Sequence, residues 1–138
     1  MSIYSDGGAR GNPGPAAIAF IVSNGKGETV KADSSFIGVH TNNQAEYKAL
    51  LMALKFASDI KAQEIVCYLD SELVVKQLTG EYTVKNHELK QLWQSVQEIK
   101  KCFLKISFVN VPRSNSQIQK ADELVNKTLD EQVRKCRG

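Results

Sequence analysis

The chain has 138 residues, 42% hydrophobic and 24% charged, with a net charge of +3, which is enough apolar material for a single globular domain spanning 1–138 with its own core. Its longest apolar run, residues 16–22, is far too short to cross a bilayer, and no basic stretch or cleavage site precedes it, so a cytoplasmic location is expected rather than export or membrane insertion.

Ser2-Ile3-Tyr4-Ser5-Asp6-Gly7 reads as a short strand closed by an acid. Residues 16–22 read as a buried strand, Asn24-Gly25-Lys26-Gly27 as a turn and residues 28–39 as a returning strand, so three antiparallel strands open the chain. Thr41-Asn42-Asn43-Gln44 fits a capping box, the Thr hydroxyl accepting from the backbone while the Gln side chain reaches back, and it starts a helix running to about residue 60. The pattern then alternates: a strand over 64–70, a helix over 71–78, a helix over about 86–101 and a strand over 104–111. Pro112, with no N–H to donate, ends that strand. After a polar loop, Ser116 and Gln119 offer a second capping box for a final helix, with about 130–138 as its end or as a disordered basic tail. Strands followed by crossover helices predict an α/β fold whose mixed sheet has its parallel pairs covered by helices.

Four acids stand out against this frame. Asp6 and Asp70 each end a strand, with Tyr4 and Tyr68 two residues earlier on the same strand face. Glu46 heads the helical stripe Leu50, Ala53, Ala57, and Asp122 heads Val125, Leu129, Val133. An ionised carboxylate at the edge of a core costs several kcal/mol, roughly, unless it is paired or binds a cation. Each acid alone reads equally well as a surface group or half of a salt bridge; four together point to a metal site built from carboxylates. Oxygen donors suit hard cations such as Mg²⁺ and Mn²⁺, whereas Cys67, Cys102 and Cys136 are odd in number and too widely spaced for a zinc clip or a disulfide framework. Neutralising four acids would raise the net charge from +3 to about +7, with Lys85, Lys90, Lys100, Lys101 and Lys105 in one region, although such a run is more often a solvated helix face.

Asp6-Gly7-Gly8-Ala9-Arg10-Gly11-Asn12-Pro13-Gly14-Pro15-Ala16, then Thr41-Asn42-Asn43-Gln44-Ala45-Glu46, then Asp70-Ser71, then Ala121-Asp122-Glu123-Leu124 resemble the successive motifs of type 1 ribonuclease H, over residues 1 to about 129. The first two motifs are long and specific; a lone Asp-Ser or Ala-Asp is not. The resemblance implies a ribonuclease H-like fold with a five-stranded mixed sheet, three antiparallel strands then parallel ones, flanked by helices. It implies an endonuclease that cuts the RNA strand of an RNA/DNA hybrid with two Mg²⁺ ions, Mn²⁺ being a substitute, and leaves 5′-phosphate and 3′-hydroxyl ends. Asp6, Glu46, Asp70 and Asp122 would be the catalytic metal ligands, with Asp6 bridging both ions. Gly11, Asn12, Thr41, Asn42, Asn43 and Ser71 would contact the nucleic acid, where uncharged amides suit the 2′-hydroxyl that distinguishes RNA from DNA. Asn12 and Asn42 read equally as turn and helix-start residues.

The chain departs from that pattern in three places, one being the loop before Asp122, which is slightly long and has Ile118 where relatives often have Asn. Many bacterial members carry a basic protrusion that grips the hybrid, and the stretch 81–85 leaves no room for it. Where many relatives hold a mobile His that helps product release, this chain has Arg113-Ser114-Asn115-Ser116, and Arg113 is the candidate to attract phosphate there. His40 and His87 fall in no motif. Trp93 lies on the stripe Leu89, Leu92, Trp93, Val96, Ile99 and reads as core, which leaves Tyr82 as the residue able to stack on the DNA strand. No obligate protein partner is evident and a monomer is expected. Two rival readings are a non-catalytic nucleic-acid-binding module of the same fold and the same chemistry aimed at double-stranded RNA. The missing protrusion predicts a grip on the hybrid that is weaker or more salt-sensitive than in relatives that carry it; affinities across a salt series that match theirs would overturn this.

Overall fold

The computed structural model describes the backbone of residues 1–137 and the side chains of residues 1–135. In chain order it contains β1 (Ser2–Ala9), β2 (Gly14–Ser23), β3 (Thr29–His40), α1 (Asn42–Asp59), β4 (Glu64–Leu69), α2 (Glu72–Leu78), α3 (His87–Lys100), β5 (Lys105–Asn110) and α4 (Ser116–Arg137). The five strands form one sheet in the order β3-β2-β1-β4-β5, antiparallel from β3 to β1 and parallel from β1 to β5. This is the mixed α/β sheet that the sequence predicts. Among the described residues no helix is long and apolar enough to cross a membrane.

The alternation of side chains along the central strands fixes two helix layers. Ile3, Phe20 and Val22 face one side, where they pack with Tyr47, Leu50 and Leu54 of α1, Val74 and Leu78 of α2, and Leu89 and Val96 of α3. Ala17, Ala19 and Ile21 face the other side and meet Ala121, Val125 and Leu129 of α4. Covered on both faces, β2 therefore reads in sequence as an unbroken apolar run. Trp93 is half-buried against the first core, and its indole N–H donates to the Gln77 carbonyl at 3.1 Å, so it packs as expected.

Local chemistry sets where the helices start. At α1, Thr41 Oγ1 accepts from the Gln44 N–H at 3.2 Å and Gln44 Oε1 accepts from the Thr41 N–H at 2.8 Å, which is the expected capping box. At α4 the expected box of Ser116 and Gln119 does not form. Asn115 Oδ1 accepts from the Gln117 and Ile118 N–H groups at 3.0 and 3.2 Å instead, because the turn closed by the Asn115 N–H on the Pro112 carbonyl at 2.9 Å brings that side chain under the first helical turn. Ile118 is thereby turned fully into the interior. The stretch expected as helix end or disordered tail is helical through Arg137, Gly138 lying outside the described residues, and the buried stripe stops at Leu129 because Val133 is 42% exposed.

A second correction concerns Asp6, expected at a strand end. It lies inside β1, because the ladder with β2 continues to the Ala9–Ala16 pair. The parallel ladder between β1 and β4, however, stops at the Tyr4–Tyr68 pair. Asp6 thus projects beyond the end of β4 from a strand still held on its other edge.

Gly7 lets α1 reach that strand. A Cβ on Gly7 would stand 2.3 Å from the Ala45 carbonyl oxygen, a backbone atom that cannot swing away. Gly7→Ala is expected to destabilise the protein by more than about 2 kcal/mol, the scale of forced overpacking, whereas Gly8→Ala, whose Cβ would meet Val125 Cγ1 at an ordinary 3.8 Å, should change stability by less than about 1 kcal/mol. Urea unfolding midpoints of the two variants measure the difference.

Candidate active site

The register of β1 on β4 builds half of the site. Since Tyr4 pairs with Tyr68, Asp6 and Asp70 lie two residues further along neighbouring strands and point to the same face. The two Tyr rings fill that face beneath them, stacked 4.8 Å apart with 13° between their planes. Asp70 sits one residue past β4, whose last carbonyl, on Leu69, accepts from Asn110 Nδ2 at 3.1 Å and from the Val111 N–H at 2.9 Å. Ser71, next in sequence, caps α2 through its Oγ, which accepts from the Val74 N–H at 3.3 Å.

Glu46 comes from α1, one residue beyond the Ala45 carbonyl that crowds Gly7. Its Oε1 accepts from the Gly7 N–H at 3.2 Å, and its Oε2 is buried with no hydrogen-bond partner. One carboxylate oxygen each from Asp6, Glu46 and Asp70 lies within 4.8 Å of the other two. Asp122, half-buried on α4, stands outside this trio but close enough to Asp6 to act on its charge. Asn126 Nδ2 donates to the Asp122 Oδ2 at 3.4 Å. Glu46 heads a stripe in which Leu50, Ala53 and Ala57 are fully buried, as expected of it.

Burial and mutual repulsion set the electrostatics. Asp6, only 4% exposed, is pushed up to about 7, first by desolvation and further by the charges of Asp70 and Asp122, although its proximity to Glu46 opposes the rise. Glu46 is raised well above the usual carboxylate range by desolvation and by Asp6 and Asp70. A buried carboxylate oxygen without a donor must find either a proton or a cation. The donor set holds oxygen alone, three acids converge, and Glu46 Oε2 is unpartnered, so the residues fit a hard divalent cation and not a thiophilic one.

Around the acids runs a rim from the β1–β2 loop and the start of α1. Gly11 occupies φ +93° there. Asn12 Oδ1 accepts from the Asn42 N–H at 3.0 Å, and Asn42 Oδ1 accepts from the Ala9 N–H at 2.9 Å. Both amides therefore serve the fold through their oxygens, and both residues are exposed. Thr41 is engaged in its cap, and Asn43 is half-buried in the first turn of α1. Sequence reasoning passed over Arg10, whose Nη2 donates to Asp130 Oδ1 at 2.7 Å and to the Asn126 carbonyl at 3.4 Å, tying the loop to α4. Nothing in its sequence context signals that pairing, which joins positions 120 residues apart. Arg113 Nε donates to Asp70 Oδ2 at 3.3 Å, which brings it directly onto the site. Tyr82 is 45% exposed, its hydroxyl accepts from Lys76 Nζ at 3.4 Å, and that ammonium stands 5.0 Å from its ring centre.

Residues 4–128 match the family model described as reverse transcriptase-like. The chain is 41% identical over 128 residues to the ribonuclease HI of Halobacterium salinarum, covering 93% of this chain and 63% of that protein. The crystal structure of the RNase H1 from that archaeon superposes with a TM-score of 0.90 at 40% identity, over 94% of this chain and 97% of the other. LC11-RNase H1, solved in complex with an RNA/DNA hybrid, gives a TM-score of 0.87 at 40% identity, over 96% of this chain and 98% of the other. The bifunctional protein Rv2228c of Mycobacterium tuberculosis is 40% identical over 129 residues, which are 93% of this chain and 35% of that protein. The chain thus spans less than two thirds of these full-length curated relatives.

The raised acids give a signed pH dependence. For Asp6, about 7 when folded against 3.8 ordinarily, the folded state holds its proton more tightly than the unfolded chain. Stability of the metal-free protein should therefore be greatest below about pH 4 as far as this group is concerned, fall as pH rises to about 7 and then level off, with Glu46 extending the fall upward. Asp6→Asn should remove most of that fall and make the metal-free protein more stable than the parent at pH 8, as thermal melts in chelator across pH 4 to 9 would show.

Proposed function

The chain belongs to the type 1 ribonuclease H family, and from that membership we propose that it is a divalent-metal-dependent endonuclease, one catalytic domain that hydrolyses the RNA strand of RNA/DNA hybrids. One observation carries the proposal: Asp6, Glu46 and Asp70, from three different elements, bring carboxylate oxygens within 4.8 Å of one another at one edge of the sheet. A site of stability alone would not gather like charges in this way.

In this reading Asp6, Glu46, Asp70 and Asp122 would hold two Mg²⁺ ions, for which Mn²⁺ would be a substitute. When bound, the ions supply Lewis acidity to the scissile phosphate and lower the pKa of a water nucleophile. The protein's own part is arrangement. The Gly7 N–H fixes Glu46 by one oxygen and leaves the other free, the β1–β4 register sets Asp6 beside Asp70, and Asn126 holds Asp122 at the rim. Such preorganisation means that little reorientation remains at the moment of reaction. Gly11, Asn12, Thr41, Asn42, Asn43 and Ser71 form the surface for the hybrid, where side-chain amides that donate and accept suit the 2′-hydroxyls of the RNA strand. The groove between β3, α1 and α3, lined by Pro13, His40, Thr41, Lys48, Glu88 and Ser95 among others, begins at the same rim. No imidazole base is assigned, because neither His40 nor His87 is in the acid cluster. Cleavage leaves 5′-phosphate and 3′-hydroxyl ends.

Labelled RNA/DNA, RNA/RNA and DNA/DNA duplexes incubated with Mg²⁺, Mn²⁺ or chelator test the assignment. The hybrid alone should be cut, only with metal present, and Asp70→Asn should lower the rate by at least about 10²-fold, the scale on which one preorganised group acts in a charge-stabilising site. A hybrid left intact with both metals would show the function to be wrong. Full activity in Asp70→Asn would show the site to be wrong.

A further inference from the structure

Four ion pairs occur among the described residues, and one alone ends on an acid of the cluster: that of Arg113 with Asp70, Nε to Oδ2 at 3.3 Å. Arg10 is engaged by Asp130, Lys76 by Glu72 and Lys101 by Glu98, so no other paired cation balances the acids. The two partners differ sharply in setting. Asp70 has a side chain 8% exposed, whereas that of Arg113 is 85% exposed, on the loop between β5 and α4.

We infer that Arg113 is the built-in counterion of the metal-free site, competing with the divalent cation for Asp70 and released toward the incoming phosphate backbone once that cation is bound. The inference rests on the metal site proposed above and adds a role for one residue of this chain. Asp70 supplies one of the three carboxylate oxygens that lie within 4.8 Å of one another, so an ion among them would face a guanidinium already bonded to the same carboxylate. Two cations on one carboxylate repel, and the weaker, more exposed one yields. Arg113 can yield because nothing packs its side chain in place and an exposed ion pair contributes little. The charges of Asp6 and Asp122 add a smaller attraction in the same sense. Once released, its planar fork of N–H donors matches a phosphate better than a single carboxylate oxygen does. Arg113 would thus limit repulsion among the acids before metal arrives and would contact substrate only when the site is loaded.

Titration calorimetry of the whole chain with MgCl₂ or MnCl₂, without nucleic acid, tests this for the parent, Arg113→Ala, Arg113→Lys and Asp70→Asn. Arg113→Ala should bind metal about two- to fivefold more tightly at low salt, an advantage that shrinks as salt screens the pair, and Arg113→Lys should stay near the parent. Thermal melts should show Arg113→Ala less stable than the parent in chelator, with the gap closing at saturating metal. Equal or weaker metal binding in Arg113→Ala overturns the inference while leaving the metal site intact. Absence of binding to either metal in both the parent and Arg113→Ala, or unchanged binding in Asp70→Asn, overturns the metal site itself and the inference with it.

Discussion

The site depends on one close contact, the backbone of β1 at Gly7 against the first turns of α1 at Ala45. Only a residue without Cβ lets the helix come this near, since any side chain there would meet the Ala45 carbonyl oxygen. The contact delivers Glu46 to the strand that carries Asp6 and aligns the Gly7 N–H with the Glu46 carboxylate. The stripe Leu50, Ala53 and Ala57 continues the same helix face into the core, so packing of the whole of α1 holds the acid at its head in place. Site geometry and core packing are in this sense one constraint, and a loosened core would be felt first as a displaced Glu46.

The acids work against the fold that gathers them. Desolvation and mutual repulsion raise Asp6 and Glu46, so the metal-free protein keeps protons there or loses stability as it gives them up. Such strain can be kept only where the rest of the structure over-determines it. Here the supports are three elements of different origin. The β1–β2 ladder extends past Asp6, the β4 end is fastened to β5 through the Leu69 carbonyl, and α1 is capped on both sides of its first turn. None of these supports involves the acids' free oxygens, which remain available to a cation.

Much of this was legible in the sequence, for reasons that differ by residue. Strand and helix periods placed Asp6, Asp70 and Glu46 on the right elements and faces, and the capping chemistry of Thr41 and Gln44 fixed the start of α1. Asn115 was missed as the cap of α4 because Ser116 beside it is an equally good capping residue by type, and the choice was made by a turn whose geometry no local pattern encodes. The length of β1 was missed because a strand lasts as long as its longest ladder, and its partner β2 was read as starting two residues late. Arg113 was legible as a phosphate-attracting loop residue but not as a partner of Asp70, and Arg10 was not singled out at all; their partners, Asp70 and Asp130, are remote in sequence, and an exposed side chain leaves no periodic trace.

The fastening of the rim bears on how, under the proposed function, a chain without a basic protrusion would hold a duplex. The β1–β2 loop is tied on one side to α1, through Asn12 and Asn42, and on the other to α4, through Arg10, Asp130 and the Asn126 carbonyl. Asn126 in turn donates to Asp122, so the loop that carries Gly11 and Asn12 and the acid on α4 share one set of bonds. A rim fixed on both sides loses little conformational freedom when a ligand settles on it, and preorganisation of this kind adds affinity without adding area. A protrusion adds charge and surface, whereas a fastened rim adds only geometry, which offsets part of that loss and leaves the remaining grip to fewer contacts. In the proposed reading that offset rests on the rigidity of the loop and the start of α1, which neutral side chains such as Asn12 and Asn42 hold together.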